Sequence, residues 1–242
     1  ADIAFINGEV ITVDANDRVV ECVAVKGNRI IAAGPYEEIK DVIATDTKVI
    51  DLEGKTLLPG FIDAHVHLTI YGTNLSGVNC KEPQIQSLQD LFDALRKKCE
   101  ETPKGEWVRA SGFNELKLVE KRYPTSEELD AISKDHPIIV IRTCNHYSIV
   151  NRKAFDIAGI TDETTDPAGG ILEKNPDGSL TGKLIENAHM LMLDFANYTE
   201  QELRRGMQLA SEEFLKFGIT SVHDAGAYGD GPETFRVMQE AI

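Results

Sequence analysis

Residues 1–57 alternate short apolar runs with glycine-centred breaks, the pattern of a small β-sheet. Ile3 to Ile6 and Val10 to Val13 flank Asn7-Gly8, a two-residue hairpin signal. Val19 to Val25 and Arg29 to Ala33 flank Lys26-Gly27-Asn28, and Val49 to Leu52 and Thr56 to Leu58 flank Glu53-Gly54-Lys55. The reading is a small antiparallel β-sheet, half of a β-sandwich. No catalytic residue types cluster in it, so it reads as scaffold.

From residue 58 onward the pattern changes to strands alternating with helices, which implies parallel β/α units. Phe61 to Val66 is the first such strand. A helix capped by Ser87 follows, with Leu88, Leu91, Phe92, Leu95 and Cys99 on one stripe. Trp107 to Ala110 is the second strand. Pro124-Thr125 opens a helix that turns Leu129 and Ile132 inward. Ile138 to Ile141 is a continuous apolar run, as expected of a strand buried on both faces. Asn151 to Ala158 is a short helix stopped by Gly159. Residues 161–182 are rich in Gly, Pro, Asp and Thr and read as an insertion, turning at Asn175-Pro176-Asp177-Gly178. Thr199 and Glu202 have capping-box spacing and open a helix to about Phe217. Ile219 to Val222 is a fourth strand, and Phe235 to Ile242 the next helix.

Composition adds little to the fold but narrows the partners. The chain has 242 residues and is 42% hydrophobic and 27% charged, which is ordinary for a globular protein. A net charge of −15 argues against nucleic acid or an anionic membrane as partner. No apolar run is long enough to span a bilayer, and the N-terminus lacks the basic start and apolar core of a signal peptide. The cysteines, Cys22, Cys80, Cys99 and Cys144, form no Cys-x-x-Cys pair and read as reduced thiols, which places the protein in the cytoplasm.

The chemistry starts at Leu57-Leu58-Pro59-Gly60-Phe61-Ile62-Asp63-Ala64-His65-Val66-His67. On a strand, residues i and i+2 share a face, so His65 and His67 converge. Two imidazoles at a strand end make half of a divalent metal site. His136, at a strand entrance, and His189, in a helix-like stretch, read as structural, and Lys183 as solvated.

The strand ending Asp-Ala-His-Val-His resembles the first barrel strand of the amidohydrolase superfamily. Further segments resemble its YtcJ-like branch, the third amidohydrolase family: Trp107 to Glu115, Tyr123 to Asp130, Arg142 to His146 with Val150 to Ala154, Gly169-Gly170-Ile171 with Asp177-Gly178, Thr181-Gly182 and Glu186, and Gly218 to Ala225. Cys144-Asn145 stand where many members carry Asp-Gly, and Phe113-Asn114 replace the commoner Trp-Asp. The resemblance implies an α/β fold, the first half of a metal-dependent hydrolase (β/α)8 TIM barrel. It implies hydrolysis of a non-peptide C–N bond (amide, formamide or cyclic amide) of a small molecule through metal-activated water. His65 and His67 would hold the metal, zinc by family habit, as one or two ions. Glu186, His146, His223 and Asp224 are the catalytic candidates. Asn114, Phe113 and Cys144 are candidates for substrate contact.

A closed barrel takes about 250 residues, and this chain supplies about four of eight barrel strands. It therefore reads as the front half of a longer enzyme, inactive alone. A half-barrel leaves strand edges open, so self-association or a complementing C-terminal half is expected. The competing reading is a non-catalytic binding or regulatory fragment derived from such an enzyme. A phosphotriesterase-like metal hydrolase is a third, which the ordered motifs disfavour.

Overall fold

The computed structural model describes residues 1–226 and 232–240, with the side chains of all but 232 and 233. The chain divides into two compact units, Ala1–Asp63 with Gly218–Ser221, and Ala64–Phe217 with Val222–Ile242.

The first unit contains β1 (Ile3–Ile6), β2 (Glu9–Ile11), β3 (Val19–Val20), β4 (Cys22–Lys26), β5 (Arg29–Gly34), α1 (Tyr36–Ile39), β6 (Lys48–Asp51) and β7 (Thr56–Leu57). They form two sheets, ordered β5-β4-β1-β6 and β3-β2-β7. The expected hairpin at Asn7-Gly8 does not form. β1 pairs in parallel with β6, and β2 in parallel with β7. The segments 3–11 and 48–57 thus run side by side and pass together from one sheet to the other. Backbone bonds at the bend hold this path: Gly54 donates to the Asn7 carbonyl (2.8 Å) and Glu9 to that of Lys55 (3.1 Å). The antiparallel sheet is accordingly corrected to two mixed sheets. Apolar side chains of both, among them Phe5, Val10, Val23, Val25 and Leu57, line a cavity of about 400 Å3.

The boundary strand β8 (Phe61–Val66) is followed by α2 (Leu68–Ser76), β9 (Val78–Asn79), α3 (Leu88–Glu101), β10 (Val108–Phe113), α4 (Ser126–Asp130), β11 (Ile138–Arg142), β12 (Tyr147–Val150) and α5 (Arg152–Ala158). Then come β13 (Gly170–Lys174), β14 (Leu180–Glu186), α6 (Asn187–Phe195), α7 (Glu200–Lys216), β15 (Ile219–Asp224) and α8 (Pro232–Glu240). The expected terminal helix is α8; residues 241 and 242 lie outside the described residues.

A six-stranded sheet runs β13-β14-β12-β11-β10-β9. Its β9, β10 and β11 are parallel, and β12, β14 and β13 extend it antiparallel. The insertion at 161–182 is therefore the hairpin arm that widens the sheet, turning where Gly178 donates to the Asn175 carbonyl. β8 and β15 pair as a separate two-stranded sheet. Among the described residues β9, which the sequence pattern missed, adds one strand to the four expected.

Strand period 2 divides β11 between two cores. Ile138 and Val140 pack with Leu88, Leu91 and Leu95 of α3. Ile139 and Ile141 pack with Phe155 of α5 and Ala188 and Met192 of α6. Each fully buried leucine contributes about 1.5–3 kcal/mol relative to an exposed one. Capping boxes start α3 at Ser87, α4 at Thr125 and α7 at Thr199.

The helix α2 had no clear signature, because Thr69, Ile70, Gly72 and Thr73 are poor helix formers. Packing decides it. A Cβ on Gly72 would lie 2.1 Å from the Gly206 carbonyl oxygen, so α2 and α7 cross at backbone contact. No helix among the described residues is long and apolar enough to cross a membrane.

Asn151, fully buried, staples the sheet to α5. Its Oδ1 accepts from the Ile138 amide (2.9 Å) and the Ala154 amide (3.2 Å), and its Nδ2 donates to the Ser133 and His136 carbonyls. Asn151→Ala removes a helix cap and strands buried backbone groups. We expect a loss of about 2–3 kcal/mol of stability in urea unfolding.

Candidate active site

β8 delivers its two histidines to one place. The His65 and His67 rings are 5.6 Å apart between centroids, edge to face, and both are exposed. His67 Nδ1 lies 3.0 Å from the Gly226 carbonyl oxygen. That acceptor puts the ring hydrogen on Nδ1 and leaves Nε2 with its lone pair outward, the tautomer a metal ligand needs. The donor set fits a divalent ion as two of its ligands. Among the described residues no group of three His, Cys, Asp or Glu side chains forms a complete metal site.

The loop after β15 docks on the end of β8. Ala225 donates to the Val66 carbonyl (2.8 Å), and the Gly226 amide donates to Asp224 Oδ1 (3.0 Å). One short loop thus links Asp224 to the backbone carbonyl that orients His67. Asp224 Oδ2 is buried with no hydrogen-bond partner among the described residues. His223, its neighbour on the strand, points to the other side and is exposed.

His146 and Glu186, forty residues apart, form a second pair. The β12–β14 register sets Tyr147 opposite Ile185, and one step further His146 meets Glu186. The Glu186 amide donates to the His146 carbonyl (2.8 Å), and His146 Nδ1 donates to Glu186 Oε2 (2.8 Å). Both side chains are more than half exposed or nearly so, at 61% and 50%. Glu186 has φ 51° and ψ −121°, a conformation that costs a non-glycine residue about 1–3 kcal/mol. The structure places this carboxylate on an imidazole rather than in a group with His65 and His67. His189, on α6 beside this pair, is 1% exposed, and burial pushes its imidazole down to about 4, so it is neutral near pH 7.

Three expected substrate contacts sit differently. Phe113 is fully buried in the core, 5.9 Å from the Tyr123 ring, and offers no surface to a substrate. Asn114 uses its Oδ1 to accept from the Leu116 amide (3.2 Å), capping a turn of 3-10 helix. Cys144 is half-buried beside Arg142. Burial pushes its thiol up, but hydrogen bonds from the Arg142 guanidinium and the His146 amide outweigh this and hold it below its ordinary value.

Arg142 anchors the neighbourhood, and its role was missed. It forks onto Glu115, Nε to Oε2 at 2.8 Å and Nη2 to Oε1 at 2.9 Å, with both side chains mostly buried. Burial would raise the Glu115 carboxyl, but Arg142 more than offsets this and keeps it low. Burial, then the Glu115 charge, pushes the Tyr123 phenol up to about 12. An arginine ending an otherwise apolar buried strand was the available signal, since such a charge needs a partner. Lys183 is not solvated: its Nζ pairs with Glu173 (3.1 Å) and lies 4.5 Å over the Tyr123 ring. His136 is structural, buried with Nδ1 near the Glu106 carbonyl.

Residues 48–242 match the model of the amidohydrolase family. This chain is a member of that family. It is 34% identical over 240 residues to an N-substituted formamide deformylase of Arthrobacter pascens, covering 97% of this chain and 44% of that protein. It is 29% identical to the putative amidohydrolase YtcJ of Bacillus subtilis, covering 91% of this chain and 42% of that one. A metal-dependent hydrolase from Pyrococcus horikoshii superposes with a TM-score of 0.76 at 24% identity, covering 98% of this chain and 45% of the other. That likeness shows the fold. The chain spans about half the length of the curated relatives it matches.

Proposed function

We propose that this amidohydrolase chain carries the first part of a metal-dependent active site that hydrolyses a non-peptide C–N bond of a small molecule, an N-substituted formamide or a related amide. The observation that carries this reading is the His65–His67 pair with its Nδ1 anchor on Gly226. The deformylase relative supports the bond type.

His65 and His67 would hold a divalent ion, zinc by the preference of imidazole donors. Such an ion supplies Lewis acidity, which polarises a carbonyl and makes water more acidic. The chain's own groups do the rest. The Gly226 carbonyl fixes the His67 tautomer. Glu186, accepting from His146 Nδ1, leaves His146 Nε2 as the acceptor for a proton from a reacting group. The same carboxylate stabilises the imidazolium that results, and the paired strands fix its approach. Asp224, held by the loop that orients His67 and with Oδ2 unpartnered among the described residues, is the second candidate for proton transfer.

Two imidazoles do not complete a catalytic zinc site, which takes three protein ligands and an open position. The 242-residue chain, purified and loaded with zinc, is therefore expected to show no turnover of N-substituted formamides above the zinc-free control. Zinc-dependent release of formate by this chain alone would overturn that part of the reading. An assay of the polypeptide as its source makes it tests the C–N chemistry itself, with formate or amine release as the readout.

A further inference from the structure

A cavity of about 410 Å3 opens at the ends of the parallel strands. Asn79 ends β9, Ser111 and Gly112 lie near the end of β10, and Thr143 follows β11. This is the end at which barrel enzymes build their sites. Its other wall includes Tyr71 and Asn74 of α2, the helix that starts directly after His67. The volume suits a small molecule.

Its charge is unusual for this chain. The protein carries 40 acidic and 25 basic residues, yet among the described residues no carboxylate lines this cavity. Lys81 is the one charged residue among the described residues that line it, and its ammonium makes no ion pair among them. Its place is built rather than incidental. The Lys81 amide donates to Asn79 Oδ1 (3.1 Å), which fixes the loop after β9. The lysine stem lies across Gly112: a Cβ there would sit 2.9 Å from Cγ and 3.3 Å from Cε. Gly112 also has φ +79°, which favours glycine at this position. Asn79 keeps its Nδ2 donors, and Ser111 and Thr143 add hydroxyls.

We infer that this cavity is a subsite for an anionic substituent of the substrate, and that the substrate is an amide or formamide bearing a carboxylate, which pairs with Lys81. The inference rests on the hydrolase reading and deepens it. One cation with neutral donors matches a monoanion; a phosphate dianion would leave charge uncompensated.

Binding of N-formylglycine is compared with that of its neutral isostere N-formylglycinamide, by calorimetry at low salt. Wild type is expected to bind the acid about tenfold more tightly than the amide, the preference shrinking as salt is added. Lys81→Gln abolishes the preference and leaves binding of the amide unchanged, while Lys81→Arg retains most of it. Gly112→Ala, which displaces the stem, reduces it. Circular dichroism confirms that each variant is folded. Equal binding of acid and amide by wild type, no binding of the acid, or a preference that survives Lys81→Gln overturns the inference. Turnover is read separately on the polypeptide as its source makes it. Hydrolysis of neutral formamides with no preference for the acid sinks the subsite and leaves the hydrolase reading standing. An acid preference in binding without C–N cleavage does the reverse.

Discussion

His65→Ala and His67→Ala each lower the affinity of the chain for zinc by more than about 100-fold. Changes to groups that merely support a ligand cost about 10–100-fold, and removing the ligand itself costs more. The two rings stand 5.6 Å apart at the end of β8, and among the described residues no third His, Cys, Asp or Glu side chain groups with them to take over from either. Both are exposed, and their loss leaves no cavity in either core. Stability should change by no more than about 0.5 kcal/mol, the usual range for exposed sites. Competition against a chromophoric chelator measures the affinity, and circular dichroism checks the fold. Zinc affinity that is unchanged in both variants removes the basis of the metal reading. A control at His223, exposed on the neighbouring strand, distinguishes this pair from adventitious surface imidazoles.

Arg142→Met costs about 3–5 kcal/mol in urea unfolding, the range for stranding one member of a buried ion pair. Methionine fills the space of the arginine stem but leaves Glu115 buried without its fork of hydrogen bonds. The pH dependence has a definite sign. In the native protein Arg142 keeps the Glu115 carboxyl below its ordinary value of 4.5. Its contribution is therefore present above that value and is lost as pH falls through the lower folded value. In the variant, burial is opposed only by the hydrogen bonds from the Glu115 backbone and Tyr123, so the carboxyl rises and acid relieves the stranded charge. The stability gap between the two proteins narrows below about pH 5. Arg142→Met with Glu115→Gln recovers part of the loss. Cys144 reports independently: without the guanidinium its thiol rises, and alkylation near pH 8 slows. A gap that is constant with pH would show that packing of the stem, not charge, is what Arg142 provides.

The sequence was legible where local rules and tertiary packing agree. The α3 stripe, the cap at Ser87, the helix start at Pro124-Thr125 and the capping box at Thr199 are local features, and they stand as read; Ser87 and Thr125 prove to be full capping boxes as well. The His65–His67 convergence follows from strand period alone. The hairpin at Asn7-Gly8 failed because the turn signal is local while the pairing is not: β1 and β2 find β6 and β7, more than forty residues away. His146 and Glu186 were each singled out, but only the β12–β14 register shows that they are one unit. Phe113 misled because its place beside a motif suggested contact with substrate, whereas a bulge in β10 turns it into the core. Glu115 attracted no notice because an acidic residue reads as solvated unless its arginine partner is known. Lys81 lies in a segment without any motif, so only the fold could bring it together with Asn79, Ser111 and Thr143.

The division of the chain carries a consequence for how it can be taken apart. Residues 218–221 belong with the first sixty-three, while those on either side belong to the other unit. The polypeptide crosses between the units within β8 and again at both ends of that short piece. A protease that nicks the chain once, near residue 63, therefore leaves each unit still tethered through the later crossing. Secretion or expression of residues 1–63 alone would yield a body missing its final stretch, which the ribosome supplies only some 150 residues afterwards.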